Sequence, residues 1–365
     1  MSEMQENNKQ NSLENAAKKF FSLKPDLRVF DPASSDEKAQ QVYMRPSSTF
    51  LKDGIHNFRK NKLAVTMFWI LILIIVLVLV TPLFNPYGYE EIIRVNGKRD
   101  KTMGNLAPFN WSKLEQEAID QGEKLFPHIF GTDSLGRDYF VRCIYGTRIS
   151  LFVGFFAALI VLIIGLIYGA ISGYFGGKVD LVMMRLVDLI NSLPDTLMII
   201  LLSVVLKDAL KEKIQGTFLA TVGTNMISLF IVFGLLYWGG MARLVRGQIL
   251  SIREMDFVMA AESIGTSKPR IIFRHVLPNC ISVIIISTAL QIPSAIFTES
   301  FLSFLGLGVA VPTPSLGSLA SDARSSLSAY PYKLIFPAIL ISLLVLSLNI
   351  IGDGLRDAFD PKLQK

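Results

Sequence analysis

Long apolar runs alternate with shorter polar stretches along most of this chain. A helix needs roughly 20 apolar residues to cross a bilayer core about 30 Å thick, and six of the runs approach that length. The third run is the weakest, because Asp188, Pro194 and Asp195 interrupt its first half. The pattern predicts an all-α integral membrane protein. Its six transmembrane helices are expected at residues 63–84, 149–172, 186–206, 218–240, 280–304 and 334–351.

Composition supports this class, since 51% of the residues are hydrophobic and only 18% are charged. A soluble protein carries roughly 25% charged residues, so a soluble enzyme and a disordered scaffold are excluded. Two cysteines cannot build a disulfide framework. Three histidines far apart in the sequence give no local metal cluster, and we expect no metal. No basic run has interleaved aromatic residues, which argues against nucleic acid as a partner.

The net charge of +6 fits basic segments that face the cytoplasm. With a cytoplasmic N-terminus, the inner segments hold 22 Lys and Arg residues and the outer segments hold 14. We therefore predict a multi-pass protein of the cell membrane with both termini in the cytoplasm. The predicted divisions are a cytoplasmic tail at 1–62, the first span at 63–84, an extracytoplasmic segment with an interfacial elbow at 85–148, a five-span core at 149–351 and a cytoplasmic tail at 352–365.

Two further predictions concern stretches outside the spans. Residues 1–50 are polar, with few aromatics and no sustained period, and are expected to be flexible. Within the extracytoplasmic segment, a short helix is predicted near residues 112–124.

The most informative stretch lies between spans four and five, at residues 241–279. We predict two short helices here, joined by about a right-angle turn. Asp256 is expected to cap the first helix, and Gly265 is expected to follow its end in the left-handed conformation. The paired small residues Ala260 and Ala261 would let another backbone approach closely. The apolar positions at helical spacing are Phe257, Ala260, Ala261 and Ile264.

The second helix is expected to start at Thr266 or Ser267, with Pro269 tolerated in its first turn. It would run toward His275 and end at Pro278. Periodicity alone leaves two interpretations of the first helix. It either inserts into a groove on a partner or lies as an interfacial helix against this protein's own bundle.

This loop resembles the EAA loop of ABC importer permeases, whose pattern is Glu-Ala-Ala, three residues, Gly, nine residues, then Ile-x-Leu-Pro. Met259 and His275 replace the Glu and the Ile of that pattern, and His-x-Leu-Pro is similar to the peptide-transporting branch. In the family, this element docks the cytoplasmic ATPase subunits. The resemblance implies ATPase coupling through Asp256, Met259, Ala260, Ala261, Glu262, Gly265, His275, Leu277 and Pro278.

A second motif precedes span two. The run GTDSLGRDYFVRCIYGTRIS resembles the GTDxxGRDxxSRxxxGxRxSL signature of peptide and nickel permeases, with Val141 where Ser is expected. Arginines alternating with apolar residues suit a helix at the outer interface, with the arginines reaching water or headgroups. We favour an elbow that anchors span two over direct substrate contact. The family motif assigns this elbow to Asp133, Gly136, Arg137, Asp138, Arg142 and Arg148.

A third motif ends span five, where TESFLSFLGLGVAVPTPSLG resembles EAxLSFLGLGxxPPTPSWG. An acidic residue in a span is costly and tends to face a cavity or a partner. Glu299 therefore either lines a pathway or has a structural hydrogen-bond or ion-pair role. The possible pathway or gate residues are Gln291, Glu299 and Ser303.

No phosphate-binding loop of the form GxxxxGK[ST] is present, since GGKVD at 176–180 lacks the Ser or Thr. Neither GxSxG nor HExxH occurs. We therefore expect no enzyme activity in this chain, and its energy must come from a partner.

Together the three motifs resemble the C-type membrane subunit of oligopeptide/dipeptide ABC importers, with a type I permease fold. The resemblance implies a second homologous permease, two ATPase subunits that use ATP and Mg, an extracytoplasmic peptide-binding protein, and no cofactor bound by this chain. The same fold could import nickel, glutathione or another peptide-like solute. An alternative of another class is a proton-coupled secondary transporter that uses Asp188, Asp195 and Glu299, but this leaves the 39-residue loop without a role.

Overall fold

The computed structural model describes residues 50–217, 222–309 and 313–359. The predicted flexible stretch before residue 50 and the motif residue Pro312 lie outside these ranges. Within them the regular structure is helical, apart from isolated bridges at Val95–Lys98 and Thr132–Asp138. The α-helices are α1 Phe50–Lys60, α2 Lys62–Phe84, α3 Lys113–Asp120, α4 Tyr139–Phe175, α5 Gly177–Asn191, α6 Asp195–Ile214, α7 Thr224–Leu236, α8 Trp238–Arg253, α9 Asp256–Ser263, α10 Lys268–Ile271, α11 Leu277–Phe304, α12 Leu316–Ala323 and α13 Tyr332–Phe359.

Five helical stretches in the described ranges are long and apolar enough to cross a membrane, and a bent pair makes up to six. The bent pair is α5 with α6, which meet at 84°. The span predicted at 186–206 runs across this bend, so this stretch is a broken pair of helices and not one straight helix. Pro194 lacks a backbone N–H and disfavours α-helical geometry in the residue before it, so the chain turns at Ser192–Pro194 and a new helix begins at Asp195.

Most spans are longer than hydropathy predicts. α4 begins at Tyr139 and α8 runs on to Arg253, so residues 241–253 are not part of a loop. α13 continues to Phe359 and α1 spans Phe50–Lys60, so helical structure extends into the segments predicted as tails at 352–365 and 1–62. Hydropathy marks only the lipid-crossing part of a helix, whereas backbone hydrogen bonds continue into polar sequence.

The helices α4 and α8 pack closely along a stripe of small residues. Gly165, Gly169 and Gly173 on α4 face α8. A Cβ atom on Gly169 would lie 2.5 Å from the carbonyl oxygen of Ala242. Small residues at four-residue spacing allow helix backbones in a membrane to approach closely. This stripe fixes the position of α8, whose end leads directly into α9.

Residues 85–138 connect α2 to α4 and form a small hydrophobic cluster of their own. Ile93, Val95, Met103 and Ala118 are buried together. The short helix predicted in this segment is confirmed as α3, although it is shorter than expected. Ser112 starts it with a capping box, because its side chain accepts from the N–H of Glu115 while the Glu115 carboxylate accepts from the N–H of Ser112.

Candidate functional site

The short helix α9 stands between α8 and α10, at the centre of the EAA-like motif. Met255 is its N-cap, so Asp256 is the first helical residue and the predicted capping role of Asp256 is wrong by one position. The end of the helix agrees with the prediction, because Gly265 has a φ of +82°. The N–H of Gly265 donates to the Glu262 carbonyl and the N–H of Thr266 to the Ala261 carbonyl, which is a Schellman motif.

The two alanines of the motif lie on different faces of α9. Ala261 is 6% exposed and packs with Val258 into the core that α4 and α8 share. Ala260 is exposed, as is Met259. The expectation that Ala260 and Ala261 together admit a partner backbone is therefore wrong for Ala261, which is already covered by this chain. The outward apolar face consists of Phe257, Ala260 and Ile264, the last of which is 82% exposed.

A polar cluster joins α9 to the ends of α4 and α8. The hydroxyl of Tyr174 donates to Oε1 of Glu262 at 2.9 Å, and Nη1 of Arg253 donates to the Tyr174 carbonyl at 3.0 Å. These residues line a cavity of about 370 Å³ together with Met259 and Lys268. The motif Glu262 therefore acts within this chain, as a link between α9 and α4.

The second helix of the loop, α10, continues into span five without a break. Ser267 is the N-cap of α10 and Pro269 lies in its first turn, as predicted. A π-helical turn, Ile272–Val276, then leads into α11, so the predicted helix end at Pro278 is wrong. Proline lacks an N–H and crowds the preceding turn, and the wider π-helical turn lies directly before it. His275 and Leu277 are half-buried along this stretch, and Pro278 is exposed.

An ion pair that the sequence gave no reason to single out holds α5 against α8. Both oxygens of Asp180 accept from the guanidinium of Arg246, and Ser172 Oγ donates to Asp180 Oδ1 at 2.6 Å. Asp180 belongs to the GGKVD run, which was considered above only as a failed phosphate loop. One sequence signal could have indicated this pair. Asp180 follows one apolar run and Arg246 follows another, so a salt bridge between the two helices could have been expected.

The residues of the second motif form the turn that precedes α4 and the first turns of α4 itself. Asp138 is the N-cap of α4, and Gly136 has a φ of +80° in the turn before it. Asp133 pairs with Arg137 at 2.6 Å. Arg142 is only 3% exposed, so the expectation that the arginines reach water or headgroups is wrong for it. Arg148 is exposed as expected, with its guanidinium over the Tyr145 ring.

Sequence reasoning also missed His128, which lies buried between two carboxylates. Its Nδ1 is 2.9 Å from Asp138 Oδ2, and its Nε2 is 2.9 Å from Glu115 Oε1. Burial alone would lower the pKa of His128, but the hydrogen bonds to Asp138 and Glu115 outweigh burial and raise its pKa to about 9. The resulting cationic imidazolium joins α3 to the start of α4.

The proposed pathway residues of span five lie mostly inside this chain. Glu299 is 0% exposed, and its carboxylate accepts from Ser150 Oγ at 2.8 Å and from Ser303 Oγ at 2.7 Å. Ser303 is 2% exposed and Gln291 is half-buried. These contacts favour the structural hydrogen-bond role of Glu299, because its carboxylate presents no surface to a pathway.

The other two carboxylates of the proton-coupled alternative are separate from Glu299. Asp188 is exposed and pairs with Arg243 of α8 at 2.8 Å, rather than with a residue of its own helix. Asp195 is exposed at the first position of α6, where an acidic residue favours the helix dipole. The two exposed aspartates and the buried Glu299 therefore have different surroundings and different partners.

Comparison with known proteins decides the family. A family described as "Binding-protein-dependent transport system inner membrane component" matches residues 165–365, more than half of the chain. This chain belongs to that family. A second family, described as the N-terminal TM domain of oligopeptide transport permease C, matches residues 49–108. Membership of the binding-protein-dependent transport family confirms the predicted permease subunit and its multi-pass fold.

Curated relatives of this binding-protein-dependent transport component match along most of their length. The oligopeptide transport system permease protein OppC of Bacillus subtilis (strain 168) is 38% identical over 92% of this chain and 98% of the relative. The dipeptide transport system permease protein DppC of the same organism is 40% identical over 88% of each. OppC of Escherichia coli (strain K12) is 40% identical over 85% of this chain and 91% of the relative.

Proposed function

We propose that this chain is a membrane subunit of an ATP-driven importer of oligopeptides or dipeptides. Relatives of nearly full-length coverage are named as permeases for these two cargo classes. The observation that carries the proposal is α9, a short helix with an exposed apolar face that is tied to α4 through Glu262 and Tyr174. A permease that is driven by another subunit needs such an element.

The proposed partners follow from this arrangement and from the family. Two cytoplasmic ATPase subunits would dock on the α9 faces of this chain and of a second, homologous permease. An extracytoplasmic binding protein would deliver the peptide at the opposite end of the spans. In this orientation both termini and α9 are cytoplasmic, and residues 85–138 are extracytoplasmic. ATP and Mg²⁺ would act in the ATPase subunits, and this chain would bind no cofactor.

The geometry suggests how the movement of an ATPase reaches the membrane. A partner that moves Phe257, Ala260 and Ile264 would move α9 as a unit, because α9 is one continuous helix whose C-terminal end is closed by the Schellman motif at Gly265. The displacement would pass to α4 through Glu262 and to α11 through the continuous stretch Lys268–Phe304. The peptide would cross along the interface with the second permease.

The test is to purify the tagged chain in mild detergent and identify the proteins that come with it by mass spectrometry. The wild-type chain should recover two ATPases and a second permease. Ala260→Arg places a charge on the outward face, so it should lose the ATPases and keep the second permease. Ala329→Arg is the matched control, since Ala329 is also exposed but lies far along the chain, outside the coupling loop.

Two results would contradict the proposal. Retention of the ATPases and of full uptake in Ala260→Arg would remove α9 from the docking role. A wild-type chain that purifies alone would contradict the whole assembly. Cargo is tested separately, by uptake of a labelled dipeptide and a labelled tetrapeptide with unlabelled glutathione or Ni²⁺ as competitors. Competition by Ni²⁺ or glutathione, rather than by peptides, would reassign the cargo.

A further inference from the structure

A polar cleft lies where residues 85–138 meet the start of α4, the end of α12 and the start of α13. Its volume is about 570 Å³, within the range of pockets that bind small ligands. The charged and amide groups that line it are Asn105, Asp133, Arg137, Arg142, Asp322 and Lys333. The roles proposed above for the coupling loop do not use this cleft.

The cleft contains a buried guanidinium with incomplete hydrogen bonding. Nη1 of Arg142 donates to the Tyr89 carbonyl at 3.4 Å. Its Nε is buried, and no acceptor in the described part of the chain forms a hydrogen bond with it. The nearest carboxylate oxygen, Oδ2 of Asp133, is 3.6 Å away, which is longer than a hydrogen bond.

Asp133 is too fully engaged to satisfy Arg142. Its Oδ1 accepts from the N–H groups of Leu135 and Arg137 at 2.8 and 2.9 Å, and its Oδ2 accepts from Arg137 Nε at 2.6 Å. The carboxylate is therefore held in the turn before α4, with its shortest ion pair to Arg137.

The charges that line the cleft do not balance. Three cations, Arg137, Arg142 and Lys333, face two carboxylates, Asp133 and Asp322. Lys333 is 5% exposed and its Nζ donates to the neutral amide oxygen of Asn105. Asp322 is exposed at the cleft and interacts electrostatically with both arginines and with Lys333. A buried cation without a full set of partners is costly, and an added anion would supply the missing acceptor and charge.

We propose that Arg142 and Lys333 form a subsite for a carboxylate, and that its ligand is the C-terminal carboxylate of the transported peptide. A guanidinium matches a carboxylate in planar shape and hydrogen-bond geometry. Every unmodified peptide carries this group whatever its sequence, so one fixed subsite serves many cargoes. The assignment of a peptide as the ligand rests on the proposed function, whereas the incomplete hydrogen bonding of Arg142 is independent of it.

The experiment uses the assembled complex of both permeases and both ATPases in nanodiscs, without the binding protein. Binding of a dipeptide and of its C-terminal amide is compared by ligand-observed NMR. The free acid should bind at least about tenfold more tightly than the amide, because the neutral amide loses the charge-assisted hydrogen bonds to the two cations. Arg142→Gln should remove this preference. Arg94→Gln, at an exposed arginine of the same segment, is the control and should retain it.

A second variant keeps the test decisive if Arg142→Gln fails to assemble. Asp322→Asn removes an exposed competing carboxylate, so it should strengthen binding of the free acid, opposite in sign to Arg142→Gln. Equal binding of acid and amide to the wild type, with no gain in Asp322→Asn, overturns the subsite.

Two further outcomes separate this inference from the proposed function. If acid and amide bind equally but Arg142→Gln weakens docking of the binding protein, the carboxylate belongs to that protein and the peptide assignment is overturned. The complex could also recover its ATPases and import peptide, yet show neither a preference for the free acid nor an effect of Arg142→Gln on docking of the binding protein. This result would overturn the subsite and leave the proposed function standing.

Discussion

The hydroxyl of Tyr174, at the end of α4, donates to the carboxylate of Glu262 on α9 at 2.9 Å. The two residues are 88 positions apart in the chain. Arg253, the last residue of α8, donates to the Tyr174 carbonyl at 3.0 Å. The ends of two long helices and the short helix α9 therefore meet at Tyr174, and a displacement of α9 pulls on α4 directly.

Loss of the Tyr174–Glu262 hydrogen bond should weaken the coupling of ATP hydrolysis to peptide uptake more than it weakens assembly of the complex. Tyr174→Phe removes the hydroxyl and Glu262→Ala removes the acceptor, and each should lower peptide uptake per ATP hydrolysed by about fivefold, because one such bond contributes about 1 kcal/mol. The double variant should be no worse than either single one. The measurement is paired uptake and ATPase activity in proteoliposomes. Additive losses in the double variant would show that the two side chains act independently.

The contact between α4 and α8 should not tolerate a methyl group at its centre. Gly169→Ala places a Cβ atom 2.5 Å from the Ala242 carbonyl oxygen, and overpacking of this kind costs about 1–3 kcal/mol. We expect a lower melting temperature of the purified protein. Gly240→Ala is the control, because a Cβ atom there meets nothing within 4 Å. Equal melting temperatures for the two variants would contradict the close packing.

Removal of the Glu299 carboxylate should destabilise the bundle. Glu299→Ala leaves the hydroxyls of Ser150 and Ser303 buried without this acceptor, and each unsatisfied group costs about 1–3 kcal/mol. Thermal unfolding should show a clear drop for Glu299→Ala. Ser294→Ala, at an exposed position of α11, should leave the melting temperature unchanged. A Glu299→Ala protein of normal stability that has lost uptake would instead support the pathway role.

The stability of residues 85–138 should depend on pH through His128. Its pKa is raised from the ordinary 6.5 to about 9 in the folded protein. The protonated form is therefore stabilised by folding, so the contribution is complete below about pH 6.5 and is lost as the pH rises through about 9. Melting temperatures from pH 6 to pH 10 should fall more steeply for the wild type than for His128→Gln.

His56 gives the matched control for this experiment, because it is an exposed histidine on α1. His56→Gln should retain the wild-type dependence on pH. If His128→Gln has the same slope as the wild type, the imidazolium between Glu115 and Asp138 does not stabilise the fold.

The positions of five of the six spans, the short helix α3 and the turn at Gly265 could all be predicted from local sequence. Apolar runs identify membrane helices because the bilayer itself imposes their length. A capping serine and a glycine with positive φ act within a few residues. Local reasoning did not predict the bend at Pro194, which breaks the third span into two helices. It was wrong at Pro278, where it ended a helix that continues through a π-helical turn.

The roles of individual motif residues could not be predicted, because burial depends on the neighbours. Ala260 and Ala261 are identical and adjacent, yet one faces outward and the other packs into the core of α4 and α8. Arg142 and Arg148 belong to one arginine pattern, yet only Arg148 reaches the surface. Periodicity predicts which residues share a helix face, but not which face this chain covers.

By itself, the sequence determined the membrane class, the approximate spans and the family motifs, since each of these is a property of contiguous residues. Only the tertiary structure decided the Tyr174–Glu262 link, the burial of His128 between two carboxylates, the enclosure of Glu299 by serines and the incomplete hydrogen bonding of Arg142. Each of these joins groups that are distant in the chain or whose surroundings come from several helices. Their energies arise from desolvation and hydrogen-bond geometry, which exist only once the helices are packed.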